Sequence, residues 1–220
     1  MAKKTKVFNH PLFRTMVNSK LSQYLMLGEF MPKSFLAINK GDLAKTLKKI
    51  STEKVVVKPL YGSGGFGIVI DKKSNTLKNK DIDYPAFIQE FIESKKGIPG
   101  FSKDKEIADL RMIFINHKFI YALSRKARKG SLFTNFHQGA KPVLVPKKFI
   151  PQSAFRTAKK IIKVLSIFPE AHYSLDFMFT NSGKPVLVEM NTTPGFDLLH
   201  LVATEKIKEH NLKEFIRIAS

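Results

Sequence analysis

A lysine and a cluster of glycines lie between two β-type segments of the chain. The sequence from Lys58 to Gly67 is Lys-Pro-Leu-Tyr-Gly-Ser-Gly-Gly-Phe-Gly; a valine run at 55–57 precedes it and an apolar run ends it at 67–70. A strand and not a helix follows, which excludes the dinucleotide fingerprint, and the Gly-Lys-Ser/Thr end of a Walker loop is missing. Such a hairpin can fold over a triphosphate with its backbone N–H groups, and Lys58 adds a point charge. A glycine-rich surface hairpin without a ligand is the alternative.

A second polar set, Asp176, Glu189 and Asn191, lies in two β-type segments near the carboxyl end. Glu189 and Asn191 are two positions apart, so on a strand their side chains leave the same face. Polar side chains at the end of an apolar strand are unfavourable unless they bind something. Oxygen donors without His or Cys suit a hard ion such as Mg²⁺, which bridges substrate phosphates. In the alternative interpretation, Glu189 pairs with a lysine and Asn191 caps a turn.

Hydrophobic periodicity and turn residues predict the elements that position these two sets. Helices are predicted at 17–28, 41–50, 151–166 and from about 204, and strands at 34–38, 55–57, 67–70, 87–92, 107–115, 118–127, 173–179 and 185–190. Hairpin turns are predicted at 116–117 and 181–184, and a polar loop at 94–106. Hairpins that alternate with separate helices predict an α+β fold, not a doubly wound parallel sheet.

Composition excludes several classes of protein. The 220 residues are 43% hydrophobic, which is enough for one large core or for two lobes that share a cleft. The absence of Cys excludes disulfides, thiolate catalysis and Cys-based zinc sites. No apolar run has the length of a signal-peptide core or of a membrane span. We therefore expect a cytoplasmic protein with no membrane partner.

The net charge is strongly positive, since 38 Lys and Arg against 18 Asp and Glu give +20. A field of that sign attracts polyanions such as nucleotides, RNA, acidic peptides or anionic lipid surfaces. The lysines are scattered, and neither an RNA-recognition signature nor zinc-finger spacing occurs, so no nucleic-acid partner is expected. An acidic substrate and a generally basic, solvated surface are the two interpretations that remain.

The order of these motifs resembles the ATP-grasp superfamily. After segment 58–67 come Gln89-Glu90-Phe91-Ile92, Asp109-x-Arg111, Asp176, and Glu189-x-Asn191 with Pro194-Gly195. The resemblance covers about residues 17–200 and is greatest for the ribosomal-protein glutamate ligase and glutathione synthetase branch. It implies an ATP-grasp fold, with ATP held between the antiparallel sheets of two α+β lobes.

The resemblance also implies a division of the chain. An amino-terminal remnant is expected at 1–16, a small lobe with the glycine-rich hairpin at 17–92, and a large lobe with the metal site at 93–220. The domain that precedes the ATP-grasp core in related ligases is expected to be short or absent. A homo-oligomer, or a partner chain that supplies the missing domain, is a further arrangement that the sequence leaves open.

Carried over to matching positions, the resemblance implies roles for individual residues. Lys58 and Arg125 are expected to act in catalysis, with Arg125 close to the transferred phosphate. The implied metal ligands are Asp176, Glu189 and Asn191. The implied nucleotide contacts are Lys20, Lys58, Gly62, Ser63, Gly64, Gly65, Gln89, Glu90, Phe91, Ile92, Asp109 and Asn135, with the backbone of Glu90 and Phe91 at adenine. The implied cofactors are ATP and Mg²⁺, with Mn²⁺ as an alternative metal.

The segment 133–140 differs from that branch. Phe133 stands where the branch often has Arg, and the next residues are Asn135-Phe-His137-Gln138-Gly-Ala in place of Asn-x-x-Arg-Gly-Gly. Glutamate as the substrate therefore does not follow from the resemblance. We expect His137 to donate a hydrogen bond near phosphate, with proton acceptance from an incoming amine as the alternative.

The activity that the resemblance implies is that of an ATP- and Mg²⁺-dependent carboxylate–amine ligase. Such an enzyme activates a carboxylate as an acyl phosphate and joins it to an amine in an amide or peptide bond. The expected partners are ATP, a carboxylate substrate of acidic or peptide type, and an amine acceptor. The alternatives are an ATP-grasp-type kinase of an anionic small molecule and an ATP-binding regulator.

Overall fold

The computed structural model describes residues 9–62, 64–103 and 105–219, so Ser63 of the predicted phosphate loop lies outside the described residues. The helices are α1 (Pro11–Met16), α2 (Lys20–Leu27), α3 (Lys40–Lys49), α4 (Lys73–Lys78), α5 (Gln152–Leu165), α6 (Asp197–Val202) and α7 (Glu205–Ala219). The strands are β1 (Ser34–Ala37), β2 (Lys54–Pro59), β3 (Val69–Lys72), β4 (Ala86–Glu90), β5 (Ala108–Ile115), β6 (Lys118–Lys126), β7 (Lys141–Leu144), β8 (His172–Phe179) and β9 (Pro185–Asn191).

A four-stranded sheet with the order β1-β4-β2-β3 carries the glycine-rich hairpin, which joins β2 to β3. All neighbouring strands of this sheet pair in antiparallel fashion. Helix α3 begins where the Asn39 side chain accepts a hydrogen bond from the backbone N–H of Asp42, an N-cap interaction. Leu43 and Leu47 lie four positions apart on one face of this helix and pack into the core of the small sheet with the strand residues.

A five-stranded sheet with the order β7-β6-β5-β8-β9 forms the larger part of the molecule. Helix α5 covers one face of it, because its buried residues Ala154, Ala158, Ile161 and Leu165 form a single stripe along the helix. These residues share the main hydrophobic core with strand residues such as Leu175. The opposite face of the sheet turns toward the glycine-rich hairpin.

Helix α2 connects the two sheets. The Gln23 side chain donates to the carbonyl of Met190 (2.8 Å) and accepts from its N–H (3.0 Å), which ties α2 to β9. On the small sheet, the Tyr24 ring lies 5.7 Å from that of Phe87, and its hydroxyl accepts from the N–H of Ser34 (3.2 Å). Residues at the start of the predicted small lobe therefore contact both sheets.

The predicted amino-terminal remnant also contributes to the main core. Phe13 on α1 is fully buried, and its ring lies 5.2 Å from that of Phe168 and 6.0 Å from that of Tyr173. Buried Val17, Leu27 and Met31 belong to the same cluster. The domain limits at 16/17 and 92/93 stay a prediction, but the packing puts segment 11–31 with the large sheet.

The structure confirms the α+β class, since every strand pair in the described residues is antiparallel. The predicted strands and the four predicted helices are present, with boundaries that differ by a few residues. Four short elements were not predicted, namely α1, α4, β7 and α6. None of the helices in the described ranges combines the length and apolar character that a membrane crossing requires.

Candidate active site between the two sheets

A row of charged and polar side chains crosses four strands of the large sheet. In the strand registers, Arg125 is opposite Asp109, Arg111 is opposite Asp176, and Asp176 is also opposite Glu189. Directly opposed residues leave a sheet on the same face, so these side chains form one row. Asn191 extends the row, because it lies two residues beyond Glu189 and opposite Ser174. The row faces the small sheet.

A β-bulge shapes the end of this row. The pairing of β8 with β9 shifts between Asp176 and Phe177, which pair with Glu189 and Leu187, so Val188 is the extra residue. A bulge of this kind lets two successive residues face the same side. Val188 and Glu189 are accordingly both half-buried and both line the cleft. The bulge therefore aims Glu189 at the space between the sheets.

Four of the row's side chains form a buried ion-pair network. Arg111 donates to both oxygens of Asp176 (2.8 and 2.6 Å). Arg125 lies between two carboxylates, since its Nη2 donates to Asp176 (2.7 Å) and to Asp109, while its Nε donates to both Asp109 oxygens at 3.1 Å. The hydroxyl of Thr134 also donates to Asp109 (3.0 Å). Asp109 and Asp176 thus have most of their acceptor sites filled by the protein.

Burial and pairing act in opposite directions on these groups. Burial raises the pKa of Asp109, and Arg125 offsets this only in part. Burial alone would also raise the pKa of Asp176, but two guanidinium groups hold it below its usual value. Burial favours neutral Arg125, but Asp109 and Asp176 raise the pKa of its guanidinium and keep it charged.

Lys58, at the end of β2, reaches from the small sheet to the large one. Its Nζ donates to the Gln89 side chain (2.8 Å) and to the carbonyl of Val188 on β9 (3.2 Å). Gln89 is held in turn by the hydroxyl of Ser34 (3.1 Å). Burial lowers the pKa of Lys58 to about 8, and the negative charge of Glu189 opposes that shift. The structure therefore brings the predicted lysine to the strand that carries the predicted metal ligands.

Lys20 is a second buried cation on the same side. It is the first residue of α2, and its Nζ donates to the carbonyl of Gly62 in the glycine-rich hairpin (3.1 Å). Burial lowers the pKa of Lys20, again with Glu189 in opposition. Two lysines with lowered pKa values thus flank the hairpin. Anionic oxygens placed beside them would stabilise their charged forms.

The glycine-rich hairpin lies against segment 135–137 of the large lobe. Gly65 has φ +83°, and a Cβ there would come within 2.8 Å of the Asn135 side chain. Gly64 has φ +70°, and its Cβ would meet the His137 ring at 3.1 Å. The Phe66 ring stacks on His137 with centroids 6.2 Å apart. Glycine is required at these two positions because φ is positive and because the side chains of Asn135 and His137 leave no room for a Cβ.

A cleft of about 210 Å³ lies between the sheets. That is more than ten times the space that one water needs, so the cleft can admit part of a small molecule. It is lined by the following predicted site residues: Lys58, Gln89, Glu90, Phe91, Ile92, Asp109, Arg125, Asn135, Asp176 and Glu189. Its apolar walls, which include Val56, Ile68, Ile70 and Met178, were not predicted, although Val56 shares the strand face of Lys58.

A second cavity of about 180 Å³ adjoins the cleft and shares Arg125, Asn135 and Glu189 with it. The predicted residues Gly64 and Asn191 line this cavity and not the first. Arg111, Thr193 and Asp197 line it as well, without having been assigned a role from the sequence. Lys20, Gly62 and Gly65 line neither cavity, although each lies in or against the hairpin above them.

The linker from Glu90 to Ile92 forms one wall of the cleft. The Glu90 carboxylate points away, because it accepts from the N–H and the hydroxyl of Ser51 (2.9 and 2.8 Å). The N–H groups of Glu90 and Phe91 donate to Lys33 (2.9 Å) and Thr52 (3.3 Å). Within the described part of the chain, the N–H of Ile92 has no acceptor. Of these three N–H groups, the one that is open to a ligand is thus that of Ile92. The role of the Glu90 and Phe91 backbone at adenine stays a prediction.

The predicted metal ligands differ in their availability. The Glu189 carboxylate makes no hydrogen bond with any described residue, and the Asn191 amide nitrogen is buried without a partner. Rotating the amide by half a turn about the Cβ–Cγ bond would bring its oxygen to the same place. The ranges that the structure describes hold no group of three or more His, Asp or Glu that could bind a metal. Glu189, Asn191 and Asp176 therefore fit Mg²⁺ only as a partial set that bound phosphate oxygens would complete.

Curated proteins with similar sequences carry related names. A probable alpha-L-glutamate ligase of Marinomonas sp. (strain MWYL1) is 27% identical over 169 residues, which are 76% of this chain and 52% of that protein. A protein of the same name from Halorhodospira halophila (strain DSM 244 / SL1) is 28% identical over 194 residues, 86% of this chain and 58% of that protein. The chain thus spans about half the length of the curated relatives it matches.

Solved structures show the same fold. The ATP-grasp ligase PsnB in complex with a minimal precursor has a TM-score of 0.67 at 14% identity, over 100% of this chain and 65% of that one. The D-cycloserine synthetase DcsG has a TM-score of 0.65 at 12% identity, over 94% of this chain and 72% of that one. The expected ATP-grasp fold is therefore confirmed. A family model described as the RimK-like ATP-grasp domain matches residues 21–212, and the chain belongs to this family.

Proposed function

We propose that the chain is the ATP-grasp domain of an ATP- and Mg²⁺-dependent carboxylate–amine ligase. The observation that carries this proposal is that two cavities meet at Arg125, Asn135 and Glu189. One cavity has apolar walls and two lysines nearby, as a nucleoside triphosphate requires, and the other has space for the group that is to be activated. Relatives named alpha-L-glutamate ligase and a PsnB structure solved with Mg and ADP support the same activity.

The reaction proceeds in two transfers. A substrate carboxylate oxygen attacks the γ-phosphorus of ATP, the bond from that phosphorus to the β–γ bridging oxygen breaks, and ADP leaves. The amine nitrogen then attacks the carbon of the acyl phosphate, phosphate leaves, and the amine loses a proton as the amide forms. Positioning and electrostatic stabilisation supply most of the catalysis in such transfers, so no nucleophilic side chain is needed.

The small sheet and the hairpin are assigned to the nucleotide. Val56, Ile68 and Ile70 provide an apolar wall for the base, and the free N–H of Ile92 provides a hydrogen bond. Lys58 and Lys20, in their charged forms, bind phosphate oxygens. This interaction raises the pKa values of the two lysines and so opposes the effect of burial. The hairpin, packed against segment 135–137, excludes water from the reacting groups.

The polar row is assigned to the transferred phosphate. Glu189 and Asn191 would hold Mg²⁺ together with Asp176, and the bound ion would neutralise phosphate charge during transfer. Arg125 keeps one amino group, Nη1, without a partner among the described residues, and it borders both cavities. We assign this group to the phosphate oxygens, while Asp109 and Asp176 hold the guanidinium in place.

A phosphate-balance assay tests the proposal. We expect ADP release that requires Mg²⁺ and rises when a carboxylate and an amine are present together, with one free phosphate for each ADP. Amino acids, acidic peptides and simple amines form the panel of substrates. ADP release with phosphate retained on the acceptor would instead identify a kinase. Nucleotide binding without turnover across the panel, in a chain that includes any flanking domains, would identify a regulator.

A further inference from the structure

The positive charge of the chain is concentrated in one long segment. Residues 110–169 contain 13 Lys and Arg and no Asp or Glu, whereas the whole chain has 38 basic and 18 acidic residues. This segment supplies β6, β7 and α5. Four of its cations have acidic partners outside the segment. Arg111 and Arg125 pair with Asp176 and Asp109 in the polar row, Lys118 pairs with Glu214, and Lys126 pairs with Glu106. The others must be balanced by solvent ions or by a ligand.

Helix α5 arranges four of these cations in a stripe. Arg156, Lys159, Lys160 and Lys163 are spaced i, i+3, i+4 and i+7, so they share one helix face, and all are exposed. This cationic stripe lies opposite the buried residues of α5 and points away from the sheet and the cleft. Nowhere in ranges 9–62, 64–103 and 105–219 does an acidic side chain form an ion pair with any of the four.

Such an arrangement destabilises the isolated helix. Like charges three and four positions apart repel each other, and the stripe contains four such pairs among its four residues. A surface helix suited only to solvation would alternate lysine with glutamate, which stabilises a helix at the same spacing. The stripe therefore favours a negatively charged ligand over a merely solvated surface.

A polar groove runs beside the stripe. It has a volume of about 800 Å³ and is bordered by Thr157 and Lys160 of α5, by the turn 180–184 between β8 and β9, and by residues 29–33. The linker residues 90–93 border it too, as they border the nucleotide cleft. Apart from these linker residues, the groove shares no lining residue with either cavity of the candidate active site.

We propose that the cationic stripe of α5 and this groove bind an acidic polypeptide segment. Lys160 belongs to both features, so an extended chain can place carboxylates along the stripe and continue into the groove. The four charges span about 10 Å along the helix axis, which corresponds to about three residues of an extended polypeptide. Thr157 in the groove offers a hydroxyl group to a peptide backbone.

The composition of the surface favours a polypeptide over other polyanions. The groove also contains Glu29, Glu90 and Glu93, which repel a nucleic acid because it carries a charge on every unit, whereas a peptide can place its uncharged residues beside them and its carboxylates on the stripe. The only described aromatic residue of α5, Phe155, packs against Phe119 and offers no ring for base stacking. The exposed face of α5 carries no apolar side chain for insertion into lipid. A second copy of the chain, at +20, is repelled.

Charge reversal on the stripe tests the proposal. The variant K159E/K163E is compared with K40E/K48E on α3, which makes the same change in net charge at exposed positions of the small lobe. The probe is a fluorescein-labelled dodecamer of alternating Glu and Ser, followed by anisotropy at several salt concentrations. We expect K159E/K163E to weaken binding by about tenfold at low salt, and K40E/K48E by about twofold at most.

Thermal unfolding separates this result from a folding defect. K159E/K163E turns two of the four repulsive pairs on α5, 156/159 and 160/163, into attractive ones and leaves the other two repulsive, so we expect its melting temperature to equal or exceed that of the wild type. Equal losses in both double variants would overturn the proposal, because net charge alone would then explain binding. It would also be overturned if K159E/K163E lost binding to poly(U) RNA, or to phosphatidylcholine–phosphatidylserine vesicles, but not to the peptide.

Discussion

The carboxylates at the two ends of the polar row on the large sheet differ in how many hydrogen bonds they accept from the protein. At one end, Asp109 and Asp176 are fully buried and their oxygens accept from Arg111, Arg125 and Thr134. At the other end, Glu189 is half-buried and accepts nothing from the described residues, and the buried nitrogen of Asn191 has no partner. The number of partners, and not the residue type, therefore decides which carboxylate is available to a ligand.

Asp176 lies at the boundary between the two ends. Arg111, Arg125 and the more distant hydroxyl of Ser174 (3.4 Å) fill the four acceptor positions that a carboxylate offers. A metal ion could use an Asp176 oxygen only if one of these donors moved. Glu189 and Asn191 face no such competition. We therefore expect the saturated carboxylates to stabilise the fold, and the open end, together with the free Nη1 of Arg125, to act in the chemistry.

The largest expected effect is on stability, from Arg125→Met. This change leaves Asp109 and Asp176 buried side by side without their shared partner, and removing one member of a buried ion pair typically destabilises by about 3–5 kcal/mol. Urea denaturation followed by circular dichroism measures the free energy of unfolding. The double variant D109N/R125M should recover part of the loss. An R125M protein as stable as the wild type would contradict the assignment of a structural network.

The next largest effect is on turnover, from Glu189→Gln. We expect the release of ADP at saturating Mg²⁺ to fall by about 10²–10³-fold, as when a stabilising group is removed from an active site. Because Glu189 has no hydrogen-bond partner in the described residues and acts on Lys58 only through its charge, the free energy of unfolding should fall by about 1 kcal/mol at most, much less than in R125M. Glu209→Gln, on the exposed side of α7, is the matched control and should keep full activity. A stability loss in E189Q comparable with that in R125M would erase the difference between the two ends.

The sequence predicted which side chains share a face, but not which of them bind each other. The spacing of Glu189 and Asn191 placed both on one strand face, and the hairpin turn at 181–184 placed Asp176 beside them. The partners of Asp176 come from β5 and β6, and the pairing of β5 with β8 joins segments about 60 residues apart. No local pattern in the sequence encodes that pairing, so the role of Arg111 was missed.

Local irregularities of the backbone could not be predicted from the sequence either. The bulge at Val188 falls inside an apolar run whose alternation would put Glu189 on the same face as Leu187, but the extra residue turns it to the cleft. Helix α1 has six residues and begins at a Pro, and its Phe13 is held by tertiary packing and not by helix propensity. The glycine-rich hairpin, in contrast, was predicted correctly because glycine and strand signals are local.

A smaller effect on stability is expected from Asn191→Leu. The buried amide nitrogen of Asn191 has no partner, and an unsatisfied buried donor destabilises by about 1–3 kcal/mol. Leucine has a similar shape, so N191L should raise the free energy of unfolding by about 1 kcal/mol while Mg²⁺-dependent ADP release falls. Denaturation and activity are measured on the same preparation. If N191L lowered stability, Asn191 would belong to the saturated end of the row.

The smallest effect is a shift in pH dependence, and it tests whether the charge of Glu189 is present and close to Lys58. Burial lowers the pKa of Lys58 to about 8, while Glu189 raises it. Phosphate oxygens bind the charged lysine, so nucleotide affinity should be highest below pH 8 and fall by up to about tenfold per pH unit above it. Removing the charge in E189Q takes away the larger of the two carboxylate charges that oppose burial and leaves that of Asp176, so the midpoint should move to lower pH. Lys58→Arg, which stays charged, should abolish the decline.

Isothermal titration with ADP between pH 6.5 and 9.5 (a range chosen to bracket the midpoint) measures all three proteins. A midpoint that E189Q leaves unchanged would mean that the Glu189 charge is already neutralised, and the open end of the row would then resemble the saturated one.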